Sequence, residues 1–255
     1  MREHNTVFLT FGGGNKAYRE AATRISIQAS KFIIFNNIIP ITDINLARDK
    51  YFWNRHGEFI RNNHRGFGYY IWKPYIILKT LNNMNNGDVL LYCDSGCELN
   101  YKNKNHMDHL INIVNEKHLI VSYSPGLKNI DWTKRELFDF MGLNREQIGD
   151  SIQLQSGVIM MKKTDTIMSL INEWYNISCN HSLLTDNINT TIQFPEFREH
   201  RHDQSIFSLL CLKYNILNTD IGNTYFQGEG WNQECISSTS ILTIRNRTGR
   251  SILNL

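Results

Sequence analysis

The chain has 255 residues, 41% hydrophobic and 20% charged, proportions that exclude a disordered or low-complexity protein. Lys and Arg total 27 against 24 Asp and Glu, and a formal charge of +3 without a long basic run predicts no nucleic-acid partner. No apolar stretch approaches the ~20 residues that cross a bilayer, so no transmembrane segment is expected, and peripheral membrane contact stays open.

The N-terminal Met1-Arg2-Glu3-His4-Asn5 leads into a strand-like run, not a signal-peptide core. Val7-Phe8-Leu9-Thr10-Phe11 reads as a buried strand closed by Gly12-Gly13-Gly14, with a helix over 15–30 and a second short strand at Phe32-Ile33-Ile34-Phe35. Strand, glycine turn, helix and strand open a parallel α/β sheet. Pro74 marks a helix start, with Ile77, Leu78, Leu81 and Met84 as its apolar stripe and Asn86-Gly87 as its stop. The run 88–93 is the best central strand in the chain and ends at Asp94-Ser95-Gly96. A strand at 119–123 is expected to stop at Pro125-Gly126. Thr133 and Glu136 have capping-box spacing before a helix that Gly142 ends. Gln155-Ser156-Gly157 leads into a strand at 158–161, followed by a helix bearing Ile167, Leu170, Ile171 and Trp174. A loop over 194–202 precedes a helix opened by Asp203-Gln204. No repeat or linker interrupts 1–255, so the reading is one domain with a mixed, mainly parallel central sheet flanked by helices.

Five scattered cysteines, an odd number in a chain of this size, predict reduced thiols and a cytoplasmic location. Ligands of open α/β sheets bind beyond the carboxyl ends of the strands. Three segments fall there: Phe11 with its glycine turn, Asp94-Ser95-Gly96, and the turn before Asp203. An acid at a strand end followed by Ser-Gly can hold a divalent cation or a ribose hydroxyl. Gly12-Gly13-Gly14-Asn15-Lys16-Ala17 also satisfies a dinucleotide fingerprint, but its confirming acid should close the second strand, and Phe35 is followed by Asn36-Asn37, with the nearest acid, Asp43, past Pro40 in what reads as a different element.

The blocks Gly66-Phe67-Gly68-Tyr69-Tyr70-Ile71-Trp72-Lys73-Pro74 and 87–96 together resemble the donor half of small glycosyltransferases of the GT-A fold, distantly glycogenin-like. Gln155-Ser156-Gly157-Val158-Ile159 resembles the segment lining their sugar pocket, and His202-Asp203-Gln204-Ser205 resembles their Asp-Gln pair. The resemblance runs from about Val7 to Tyr214 and implies transfer of a sugar from a nucleoside diphosphate donor to a hydroxyl of a glycan or other acceptor. It implies that Thr10, Phe11 and Gly12 meet base and ribose, and that Asp94, Ser95 and Gly96 form the donor corner. Gln155, Ser156, Gly157, Asp203 and Gln204 would face the sugar, with Asp203 and Gln155 in catalytic roles. Lys73 and Arg245, with Arg247, are candidates for the diphosphate. Trp231, in Gly228-Glu229-Gly230-Trp231, is the acceptor candidate.

One departure bears on the metal. Asp94-Ser95-Gly96 stands where the family has Asp-x-Asp, so the second carboxylate that usually holds Mn²⁺ or Mg²⁺ is missing. Asp94 then binds ribose, or holds metal with His200, His202 or Glu98. A nucleotidyltransferase and a non-catalytic sugar-nucleotide or glycan-binding domain are the alternatives from other classes.

Overall fold

The computed structural model describes residues 4–188, 192–216 and 233–253. Its strands are β1 (Thr6–Gly12), β2 (Asn37–Thr42), β3 (Val89–Asp94), β4 (Glu98–Leu99), β5 (Leu119–Lys128), β6 (Ile152–Lys162) and β7 (Ile241–Leu242). Five of them form one sheet in the order β2-β1-β3-β6-β5, and β4 pairs with β7 in a two-stranded ribbon. β1 is parallel to β2 and β3, while β6 runs antiparallel to β3 and to β5. The sheet is therefore mixed and mainly parallel, as the sequence predicts.

β1 is buried along its whole length, which is why it reads as a continuous apolar run. Its side chains alternate between two core layers. Leu9, Phe11, Leu90, Tyr92 and Ile159 face one layer, covered by the helices Trp72–Asn82, Asp165–Ser178 and His202–Lys213. Phe8, Leu91, Cys93 and Val158 face the other, covered by the helices Lys16–Ser30 and Lys104–Lys117.

Four expectations need correction. The second strand is Asn37–Thr42, not 32–35. Phe35 instead packs against Phe8 and Phe32 against Phe35, and β2 tolerates Pro40 because it lies at the sheet edge. β5 runs on through Pro125-Gly126, since the pairing shifts register between Tyr123 and Lys128 and leaves the proline unpaired. The Thr133 capping box does not form: Thr133 Oγ1 accepts from Gln153, and Gln193 Oε1 accepts the Arg135 N–H instead. Gln155-Ser156-Gly157 lies inside β6, not ahead of it. The helix Lys104–Lys117 and the β4–β7 ribbon are additions that the sequence reading did not contain. No helix among the described residues is long and apolar enough to cross a membrane.

Candidate active site

Register brings the predicted segments into one row. Gly12 pairs with Thr42, and Phe11 with Asp94, so β1, β2 and β3 end together. Cys93 pairs with Val158 in the antiparallel β6, so residues 155–157 lie beside the end of β3. The row thus passes from Asp43 through the glycine turn and Asp94 to Ser156 and Gly157, along the carboxyl edge where α/β sheets bind ligands.

At its centre Lys73 is held between two acids. Its ammonium lies 3.0 Å from Asp203 Oδ2 and 3.3 Å from Asp94 Oδ1. Ser156 adds its carbonyl at 3.2 Å and its hydroxyl at 3.3 Å, and the same hydroxyl donates to Asp203 Oδ2 at 2.8 Å. The Lys73 side chain is 3% exposed and Asp203 5%, but Asp94 is 43% exposed. Burial would lower the Lys73 pKa, yet Asp203 and Asp94 outweigh it and hold the ammonium charged. Burial pushes the Asp94 carboxyl up, opposed by Lys73 and by the Tyr92 hydroxyl donating to Oδ1.

Each carboxylate thus gives one oxygen to Lys73. Asp94 Oδ2 and Asp203 Oδ1 have no hydrogen-bond partner among the described residues. Gly157 leaves room for the first, because a Cβ there would stand 3.2 Å from Asp94 Oδ2.

Backbone strain gathers around the same centre. Gly66, Phe67, Gly68, Tyr69 and Tyr70 are five consecutive residues in the left-handed region, with φ of 55°, 53°, 81°, 51° and 64°. Each non-glycine residue there costs about 1–2 kcal/mol. The turn persists because Tyr70 N–H bonds Gly66 O at 3.1 Å, Gly68 N–H bonds Asn63 O at 2.9 Å and Trp72 Nε1 bonds Gly66 O at 2.9 Å. It delivers the Tyr70 ring to 5.4 Å from the Lys73 ammonium. His202, before Asp203, and Arg245, against Gly96, also have positive φ. Strain retained at several points around one charged cluster is a feature of functional sites.

The other predicted residues divide. Arg245 reaches the corner at Gly96, where Asn246 N–H donates to Gly96 O at 2.8 Å, and the Arg247 guanidinium lies 5.7 Å over the Tyr18 ring. Ser95 is buried, and its carbonyl accepts from Arg24 at 2.7 Å. Thr10 is buried with its hydroxyl on Cys93 O, and Phe11 is stacked on Trp72 at 3.8 Å, so neither side chain is open to a base. Gly12 abuts the carbonyl of Tyr18 and lets the first helix approach β1. Gln155 donates to Tyr123 O, and Gln204 donates to Gln153 Oε1, on the β5 side of the row. Lys73 is enclosed by its carboxylates and is not a free phosphate ligand.

The suggested metal helpers lie elsewhere. His200 and His202 bond the carbonyls of Leu183 and Leu184, while Glu98 takes Arg24, Gln28, Asn246, Ser251 and Ile252. Among the described residues no three His, Cys, Asp or Glu side chains converge as a metal cage. Trp231 and its loop lie outside the described residues.

One reading needs correction and one residue escaped the sequence. Asp43, expected in a different element past Pro40, directly follows the second strand, which removes the stated objection to the dinucleotide fingerprint. Its carboxylate, however, is taken by Arg19 at 2.8 Å and by Gly14 N–H at 3.2 Å. Tyr92 was read only as part of the strand, although two-residue periodicity places it on the same side of β3 as Asp94.

No family model matches the chain, and no curated protein matches it. Among solved structures it is similar to a glycosyltransferase involved in glycosylation of the major capsid of PBCV-1, at 11% identity over 93% of each chain with a TM-score of 0.45. It is similar to mouse xyloside xylosyltransferase 1, at 11% identity over 94% of this chain and 98% of that one, TM-score 0.45. The bifunctional glycosyltransferase WbbM is 10% identical over 94% of this chain and 46% of its own, TM-score 0.48. Likenesses this distant assign no role to any residue; the site rests on its geometry.

Proposed function

We propose that this protein transfers a glycosyl unit from a nucleoside diphosphate sugar to an acceptor hydroxyl. The observation that carries the reading is that Asp94 and Asp203 share one enclosed ammonium while Asp94 Oδ2 and Asp203 Oδ1 stay unpartnered among the described residues. Two carboxylate oxygens left free at one fixed polar centre can serve the two halves of a group transfer.

Asp94, Asp203 and Lys73 together carry one net negative charge, which repels a diphosphate. A divalent ion removes that conflict, since Mg²⁺ is commonly bound by one or two carboxylates plus substrate phosphates. Asp94 Oδ2 would hold Mn²⁺ or Mg²⁺, and the ion would supply Lewis-acid stabilisation of the leaving diphosphate. Lys73 and Tyr92 fix Asp94 so that Oδ2 faces outward. Arg247, its guanidinium over Tyr18 in the first helix, and Arg245, its backbone against Gly96, would add positive charge beside the leaving group.

Asp203 receives the proton of the acceptor hydroxyl as its oxygen bonds the sugar carbon and the bond to phosphate breaks. Gln155 and Gln204 line the acceptor side of the row. The four described cysteines are free thiols, and on that ground the compartment inferred is the cytoplasm.

The test is a screen of nucleotide sugars with and without Mn²⁺, reading release of nucleoside diphosphate. Asp94→Ala is expected to abolish turnover while the melting temperature stays near wild type. An Asp94→Ala variant working at the wild-type rate overturns the assignment. Binding without turnover would indicate a sugar-nucleotide-binding module, and consumption of triphosphate a nucleotidyltransferase.

A further inference from the structure

Beyond Asp203 the row continues to a cation that no acid neutralises. The basic stretch 198–202 holds several charges, and its neighbours are paired. Arg198 lies 3.8 Å from Asp131, while Arg65 takes Glu199 at 2.6 Å and Asp186 at 2.9 Å. Arg201 has no ion-pair partner among the described residues, and no hydrogen bond from its guanidinium. It lies over an indole instead, its Cζ 4.4 Å from the Trp132 ring centroid.

The stack is held by backbone. Trp132 O accepts from Arg201 N–H at 3.2 Å, from Ser205 Oγ at 2.8 Å and from Gln153 Nε2 at 3.0 Å. Gln204 joins the same network through Gln153 Oε1 at 2.9 Å and Ser124 Oγ at 3.3 Å. Two donors remain without an acceptor inside it: Arg201 Nε and Trp132 Nε1 are both enclosed and unbonded. Buried donors are ordinarily satisfied, and among the described residues this neighbouring pair is not; the Nη groups of the same guanidinium are also unbonded but not enclosed, and they are the donors an incoming acceptor can reach. A planar guanidinium held against an aromatic face presents a fixed fork suited to a carboxylate or phosphate.

We propose that Arg201 on Trp132 is the anion-reading part of an acceptor subsite. The acceptor would carry an oxyanion, a carboxylate or a phosphate, near the hydroxyl that is glycosylated. The word acceptor rests on the glycosyl-transfer reading; oxyanion binding does not. The order along the sheet edge supports it, because the donor corner lies at β1 and β3 while Trp132, Gln153 and Gln204 adjoin β5 and β6.

The experiment follows the Trp132 indole N–H by nuclear magnetic resonance of ¹⁵N-labelled protein, its signal identified by its loss in Trp132→Phe. Methyl β-glucuronide, glucose 6-phosphate and methyl β-glucoside are the carboxylate, phosphate and neutral probes. The signal is expected to move saturably with at least one charged probe and to stay put with the neutral one; which charged probe acts distinguishes the two oxyanions. Arg201→Gln should abolish the response. Arg201→Lys, which keeps the charge and loses the fork, should weaken it by about 10-fold and serves if the Gln variant unfolds. No movement with either charged probe, equal movement with the neutral probe, or a response surviving in Arg201→Gln overturns the proposal. Movement in a protein that turns over no nucleotide sugar removes the glycosyl-transfer reading and leaves the oxyanion site standing.

Discussion

Gly157 stands so close to Asp94 that a methyl group on its Cα would lie 3.2 Å from the Oδ2 oxygen. That oxygen is the outward one, and its partner Oδ1 is fixed by Lys73 and Tyr92. Gly157→Ala is therefore expected to tilt the carboxylate by a few tenths of an ångström and lower turnover about 10-fold, with little change in melting temperature. Parallel rate and thermal-shift measurements check this. A full-rate Gly157→Ala enzyme would mean that Oδ2 is not in contact with the donor or its ion.

Lys73→Met leaves Asp203 enclosed without its cation. Breaking a buried pair by removing one partner costs about 3–5 kcal/mol, so urea unfolding should show a loss of that order. Adding Asp203→Asn should recover part of the stability by deleting the stranded charge, without restoring activity. A single Lys73→Met variant as stable as wild type would contradict the enclosed pairing.

Gly68 has φ of +81°, and a Cβ there would meet Ile60 Cγ1 at 2.6 Å. Gly68→Ala combines backbone strain with overpacking, for an expected loss of about 2 kcal/mol in denaturant titrations. Turnover should fall by more than stability explains, because the same turn positions Tyr70 and Lys73. If unfolding shifts but the rate per folded molecule does not, the left-handed turn serves the fold alone.

How far this was legible from the sequence follows from the range of each interaction. Asp94 could be read because an apolar run stops at an acid, a local pattern. Lys73 could be singled out, but not its capture by Asp94 and Asp203, which depends on three elements meeting. The second strand was misplaced because Phe32-Ile33-Ile34-Phe35 looks more strand-like than a segment containing Pro40, and nothing local reveals which strand will lie at an edge. The left-handed turn left only Gly66 and Gly68 as signs, while three of its five residues are types that ordinarily avoid that conformation. Arg201 passed as one more charge in a basic stretch, since its lack of an acid among the described residues is visible only in three dimensions.

A pH prediction comes from the buried His56, whose ring lies 3.0 Å from the Tyr175 hydroxyl and 3.3 Å from His181 Nε2, with Cys179 Sγ at 3.8 Å. Burial first, then His181 and Arg55, lower its pKa to about 4. The unfolded chain takes up the proton near pH 6.5, before the folded one does. The contribution of His56 to stability is thus whole above pH 6.5 and is lost as pH falls toward 4, by up to roughly 3 kcal/mol. His56→Gln should flatten that part of the stability profile measured by urea unfolding between pH 7 and 4. An unchanged slope would assign the acid sensitivity to another group.

Glu98 has a consequence for how the molecule is made. Its carboxylate meets Arg24 at 3.4 Å and Gln28 at 3.1 Å, but its closest partners are Asn246 and Ser251, each at 2.5 Å. A ribosome that has just released the third strand exposes an acid whose remaining ligands are still about 150 codons away, as the separations of 148 and 153 positions require. The corner beside Gly96 is therefore completed only after residues 246–252 have been made and have docked on Glu98, late relative to the strand that carries it.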